Sequence, residues 1–405
     1  MKKRGKNRGV LLVIVILLLN LTALEWHAQP AAAAKKPTYT ISPTSKPLDK
    51  RMLKYSTYNN NTKQYYLIRS YLEKLEKTGG GKIILKKGTY TITNVLYVPS
   101  NVTIQMQDGV KIVKGTKTGT KAFSASKSLF QLIRPSKSAK SGVYGGHNGE
   151  KNITFQGNGT VTIDMKYVQD GIAIIMGHNQ NVLVENIQFR HMNSGHFIEM
   201  DACKNVEVFS NSFAESKVSP NVNKEAINID TPDKTTNGWS SKWSKFDKTP
   251  NQDVFIEYNT FSNLDRAVGT HKYSGGKYHE NVVISNNKIN NTRSDAIRVM
   301  NWSNAVIEDN TIENVENGKR GALVSGAIHP TFQHNIIKNA GKTFQFIAWK
   351  NSGPGSQYPV TYNQLTDGNK AALLTNKQIN VADPFIKISS IYNEFVKSTE
   401  KIKLG

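Results

Sequence analysis

From Asn181 onward one short phrase returns five times with its apolar and polar positions in the same order: NVLVENIQF, NVEVFSNSF, DVFIEYNTF, NVVISNNKI and NAVIEDNTI. After a polar turn each is followed by a second short strand, in turn FIEMDA, AINIDT, AVGTHK, AIRVMN and ALVSGA. Aligned asparagines stand at Asn211, Asn259, Asn287 and Asn310, with Phe213, Phe261, Ile289 and Ile312 two residues beyond them. The unit is thus about two dozen residues, the range of parallel β-helices and other solenoids. One unit cannot bury its apolar face alone. Stacking coil on coil buries it and gives a rod with a continuous interior.

A rod uses length differently from a globule, so the 405 residues predict one main domain. KKRGKNR, the apolar run Val10 to Leu19 and the small residues Ala31 to Ala34 follow the order of a secretory signal peptide, expected to span 1–34. A retained membrane anchor is the competing reading. The apolar run is shorter than the ~20 residues a spanning helix needs, which argues against stable membrane insertion. A single cysteine, Cys203, excludes an intramolecular disulfide, so an exported chain of this kind relies on packing. Five basic residues and Glu25 lie within 1–34, and the formal charge of +23 becomes +19 without them. So basic a chain favours anionic partners, an acidic polysaccharide or a wall polymer. Simple retention at an anionic cell surface explains the same charge. Nucleic acid is set aside, because the chain reads as exported and carries no recognition motif. The expected location is secreted or on the extracellular surface of a bacterium.

Residues 35–60 are polar and read as a linker or lead-in. Asn61 to Lys77 then places Ile68, Tyr71, Leu72 and Leu75 on one helical face, a plug for the first coil, whose interior and strand edges are otherwise exposed. Lys114 to Gly149 reads as a loop leaving the coil pattern, and coils resume at Asn152. The β-helix is expected over 61–350 and a C-terminal cap or tail over 351–405. In that tail Phe385, Ile388, Ile391 and Phe395 suit a short amphipathic helix.

The short helix, the triple glycine at 79–81, a strand, KGTY and VPSNVTI together resemble the entry segment of the pectate-lyase-like superfamily. The resemblance runs from about Gln64 to Ile347. It implies an all-β fold, a right-handed parallel β-helix with an N-terminal capping helix. It also implies carbohydrate chemistry, since pectin-degrading lyases, polygalacturonase-type hydrolases, phage depolymerases and uronan epimerases share that plan. The hydrolase phrases Asn-Thr-Asp, Asp-Asp, Gly-His-Gly and Arg-Ile-Lys are absent as such, and KEAINID and DAIRVMN only echo them.

Alternate residues of a strand face opposite sides, so the second strands sort into columns. Ile198, Ile227, Val268, Ile297 and Leu323 are expected inside, with Met200, Ile229, Thr270, Val299 and Ser325. Outside stand Glu199, Asn228, Gly269, Arg298 and Val324, then Asp201, Asp230, His271, Met300 and Gly326, and Gly269 is expected to leave room for a ligand lying along the sheet. The strand-opening turns add His196, Glu225, the pair Asp265-Arg266, and Asp295. The polar columns last four coils only, which points to a site rather than a solvated face.

Two close carboxylates resist joint ionisation, and a protonated carboxyl beside an ionised one is what glycoside hydrolysis needs. Asp230, Asp201, Glu225 and Asp265 form the expected catalytic pool, with His271 assisting. Arg298, Lys272, His196, Glu199, Asn228 and Tyr273 are expected to hold substrate. Trp239 and Trp243, in the insertion between Thr231 and Gln252, are expected either to wall the groove or to pack back on the rod as a small core. No cofactor is required; Ca²⁺ on Asp201, Asp230 and Glu199 suits clustered carboxylates. The expected activity is hydrolysis of an acidic or cell-surface polysaccharide. The rivals are a lyase or uronan epimerase working on the same groove, and a non-catalytic glycan-binding rod.

Overall fold

Alternating apolar residues make each repeat phrase a short strand that pairs in parallel with the same phrase one coil away. Val182, Val206, Val254 and Val282 stand in one row, and Val184, Val208, Ile256 and Ile284 in the next. A computed structural model describes residues 36–239, 241–353 and 357–404. The expected signal peptide lies outside the described residues. Among the described residues the strands form one sheet of 11 and one of 20, the second made of two files of parallel strands that meet in the long strand Ile336–Ala348. This is a parallel β-helix.

Each phrase opens on a residue in the left-handed region: Asn181, Asn205, Asp253, Asn281 and Asn304 have φ between 51° and 55°. Asn and Asp tolerate that conformation because their short polar side chains bond locally, which explains the recurrence of these two residue types at one place in every coil. Inside the rod, Asn211, Asn259, Asn287, Asn310, Asn335 and Asn376 stack in a second series. The backbone N–H of each of the first five donates to the next residue's side-chain oxygen at 2.9–3.1 Å. Asn259, Asn287 and Asn310 each donate their side-chain amide to a carbonyl of the preceding coil at 2.8 Å. A buried amide is thereby satisfied at every turn. Beside this series Phe189, Phe213 and Phe261 stack with ring centroids 4.9 and 5.0 Å apart.

The helix Lys63–Lys77 buries Leu67, Ile68, Leu72 and Leu75 against the first coil. Two terminal expectations change. Within the presumed lead-in, Thr38–Ile41 is a strand paired in parallel with Gly81–Leu85, and Ile41 and Met52 are buried, so the rod begins before residue 61. At the far end Phe385–Tyr392 is a strand, not a helix. It pairs in parallel with Ile336–Ala348 and antiparallel with Glu400–Lys403. An unpaired sheet edge offers backbone partners along its whole length, and here that outweighs a helical spacing of apolar residues. The helix of this region is Asp367–Leu373, with a capping box between Thr366 and Asn369.

Candidate functional site

One file of strands carries most of the expected site residues: His196–Asp201, Glu225–Asp230, Arg266–Gly269, Ile297–Met300 and Arg320–Ser325. Glu199 pairs with Asn228 and Asp201 with Asp230, and Gly269 pairs with both Asn228 and Arg298. One coil earlier the same positions are Ile175 and Gly177, as the sequence spacing predicts. One coil later the register differs by a residue. Arg298 faces Leu323 and Met300 faces Ser325, while Ala322 and Val324 enter the core. Arg320 sets this register by bonding Asp295 through both its backbone N–H and its guanidinium, each at 3.1 Å.

The paired acids lie sealed. Glu199, Asp201, Asn228 and Asp230 are all buried, and neither oxygen of Asp201 has a hydrogen-bond partner. Asp230 Oδ1 accepts from the backbone N–H groups of His271 and Lys272, both at 2.9 Å, whereas its Oδ2 has none. The amide of Asn228 donates to Glu199 at 2.9 Å. Burial raises the Glu199 carboxyl well above its usual range, and the neighbouring Asp201 and Asp230 add to the effect. Burial and Asp230 do the same to Asp201. Burial pushes Asp230 up to about 6, against the pull of His271 and the Lys272 N–H. Three carboxyls buried together resist joint ionisation.

The cover is the insertion after Asp230. Trp239 and Trp243 are buried with Ile133 and Ile175, and a Cβ on Gly177 would lie 1.9 Å from the Trp239 ring. Of the two expectations for these tryptophans, the packed small core is the observed one. They meet edge to face, 4.8 Å between centroids, and present no wall to a ligand. Tyr273 is likewise buried, its hydroxyl donating to the Pro359 carbonyl and accepting from the Asn351 N–H. Its expected substrate contact is replaced by a clasp on the C-terminal segment.

The other end of the same file is open. Arg266, His271, Lys272, Arg298, Trp349 and Asn351 line a cleft of about 300 Å³. Glu225, wholly buried at its floor, accepts from Arg266 at 2.6 Å and lies 3.6 Å from His271 Nδ1. Burial alone raises this carboxyl, but Arg266, His271 and His196 together hold it well below the usual carboxylate range. Lys224 Nζ is 3.5 Å from His271 Nε2. Arg298 donates to the carbonyls of Val299 and Leu323 and to Ser325, and its guanidinium lies 5.4 Å from the Trp349 ring centroid. Burial and Arg266 lower it to about 9, which leaves it cationic at neutral pH. Among the described residues it has no carboxylate partner.

Three further expectations change. Asp265 faces away from the cleft: it is buried, pairs with Arg293 at 2.8 Å and accepts from the Ser219 N–H, a turn-fixing role. His196, expected at the substrate, is buried with Nδ1 2.6 Å from the Glu225 carbonyl, and burial lowers it to about 3. Gly269 answers to the next coil, not to a ligand, since a Cβ there would lie 2.7 Å from that of Arg298. Sequence reasoning also missed Trp349 and Asn351. They follow the last coil, where no repeat position marks them. Among the described residues no group of three or more His, Cys, Asp or Glu is disposed to hold a metal ion, and no helix is long and apolar enough to cross a membrane.

A family profile for the right handed beta helix region matches residues 246–382. Plasmin and fibronectin-binding protein A of Streptococcus pneumoniae (strain ATCC BAA-255 / R6) is 20% identical over 345 residues, 80% of this chain and 44% of that protein. The chain thus spans less than half the length of this curated relative. A crystal structure of PfbA, a surface adhesin of S. pneumoniae, superposes with a TM-score of 0.55 at 14% identity, over 90% of this chain and 94% of that one. A second PfbA structure gives 0.54 at 15% identity, over 84% and 89%. The fold is the right-handed parallel β-helix that the repeat predicts.

Proposed function

We propose that this is an extracellular bacterial protein that takes an acidic polysaccharide into the cationic cleft and cleaves it by elimination at a uronate. The observation that carries this reading is the placement of His271. It stands in the open cleft, 3.6 Å from an ionised Glu225, with Arg298 and Lys272 lining the same space. A uronate carboxylate seated on Arg298 and Lys272 has its charge neutralised, which acidifies the C–H beside it. His271 takes that proton, and Glu225 stabilises the imidazolium that forms. The electron pair forms a C=C bond as the C–O bond to the glycosidic oxygen breaks; that oxygen takes a proton from water and His271 returns its own to solvent, leaving an unsaturated uronate and a new reducing end. Hydrolysis needs two carboxyl groups at the glycosidic bond, and Asp201 and Asp230 are sealed under the insertion.

The test is incubation of the protein with a panel of uronate polymers and wall polymers, with and without chelator, following ultraviolet absorbance and reducing ends together. Absorbance rising with reducing ends, and lost in His271→Ala, supports elimination. Reducing ends without absorbance return the assignment to hydrolysis. A second reading, adhesion without catalysis, draws on the relative named for binding plasmin and fibronectin. Polymer binding without either signal favours it.

A further inference from the structure

Two excursions from the coils pair with each other on the flank of the rod. The Gly142 and Val143 N–H groups donate to the carbonyls of Lys242 and Trp243 at 3.0 and 2.7 Å, and the Lys245 N–H donates to the Tyr144 carbonyl at 2.8 Å. Between them lies a groove of about 560 Å³, lined by Ser141, Gly142, Lys234, Lys242, Lys245 and Phe246. The three lysines are exposed, and among the described residues none has a carboxylate partner. The insertion's two acids are engaged elsewhere. Asp233 is buried and accepts from Ser274 at 2.7 Å and from Tyr358, while Asp247 accepts from the Gly146 and Thr249 N–H groups at 2.6 and 3.2 Å. Lys234 stands 4.9 Å over the Phe246 ring, which orients one charge without cancelling it.

The groove borders the cleft. A Cβ on Gly238 would lie 3.3 Å from Cβ of Lys272, a cleft residue, and the next residue, Trp239, is 6.5 Å from Phe246 between ring centroids. Cations therefore lie on both sides of the insertion, Lys234, Lys242 and Lys245 within it and Lys272 against Gly238. We infer that the Lys234–Lys242–Lys245 groove is a second polyanion subsite, holding the continuation of the acidic polysaccharide whose first units occupy the cleft. This rests on the reading of the cleft as an acidic-glycan site. Lysines are compact point charges on flexible stems, suited to a repeating charge without fixed orientation, whereas Arg298 suits one oriented carboxylate.

Long-chain polygalacturonate and its trimer serve as probes, because each unit bears one carboxylate. In titrations of the full chain, the Lys234→Glu/Lys242→Glu/Lys245→Glu variant is expected to bind the long polymer roughly tenfold or more weakly, with a shallower dependence on salt. Its trimer affinity stays at the wild-type value. The corresponding Lys→Gln triple, checked for an unchanged melting temperature, shows a smaller loss in the same direction. Equal long-polymer affinity in wild type and the Glu variant overturns the groove and leaves the cleft reading standing. Loss of the polymer in that variant, with no trimer binding and no effect of Arg298→Ala, leaves the groove as a polyanion site by itself and overturns both the cleft reading and the continuity between the two. If wild type binds neither probe, both fall. A larger loss toward anionic vesicles or duplex DNA than toward the polymer overturns the polysaccharide as partner.

Discussion

The sealed acids and the open cleft are two ends of one strand file, built from successive coils of similar sequence, and they handle charge in opposite ways. At one end Glu199, Asp201 and Asp230 face one another, and burial raises all three carboxyls. At the other, Glu225 is as deeply buried, yet Arg266 at 2.6 Å keeps it ionised. Burial alone does not set the state of a carboxyl. The neighbour in the next coil does, and in a β-helix that neighbour is fixed by register.

The largest test breaks the cleft's ion pair. Glu225→Ala leaves Arg266 buried without its counter-charge and is expected to cost about 3–5 kcal/mol, read by denaturant unfolding. Trp239→Ala attacks the cover over the acids. Loss of a packed indole is expected to cost about 3 kcal/mol and to let water reach Asp201 and Asp230. A loss within a few tenths of a kcal/mol would mean that the ring is a mobile flap.

The third test reads the acids directly. Carboxyls whose folded pKa is raised bind more protons in the native state than in the unfolded one between the two values. Their stabilising contribution is complete below pH ~4 and is lost as pH rises through the folded value, about 6 for Asp230 and higher than usual for Asp201 and Glu199. Glu225 works the other way, contributing above pH ~4 and losing its contribution in acid, so the comparison must be between variants. Asp201→Asn is expected to gain about 1–3 kcal/mol relative to wild type as pH rises from 4 past 6, measured as melting curves across pH. Parallel pH curves for the two proteins would show that the acids do not share protons. The smallest effect is at the mouth of the cleft. Arg298→Lys keeps the charge but loses the planar fork, and trigalacturonate affinity is expected to fall roughly tenfold with little change in stability.

Much of this was legible in the sequence. The coil spacing, the interior columns through Val299 and the pairing of Asp201 with Asp230 follow from period-two alternation and one repeat. The columns also brought Glu225, His271 and Arg298 to one face. What alternation cannot show is what lies on top of an outward-facing residue. Asp201 and Asp230 point out of the sheet as expected, but the insertion that buries them is an irregular segment with no period. The register slip at Leu323 escaped for a related reason: it is held by the Asp295–Arg320 ion pair, a contact between residues whose own columns gave no sign of it. Trp349 and Asn351 were invisible because the repeat has ended where they begin.

The asparagines stacked inside the rod have a consequence for how such a chain changes over time. Each rung's side-chain oxygen accepts from the coil before it and its backbone N–H donates to the coil after it, so any rung fits any other. Coils are interchangeable parts. Duplication or loss of one coil leaves every remaining rung with a partner, while the coils from Glu225 to Trp349 are held in place by the cleft they share. Rod length is thereby free to vary in whole steps at the ends of the stack, separately from the coils that build the cleft.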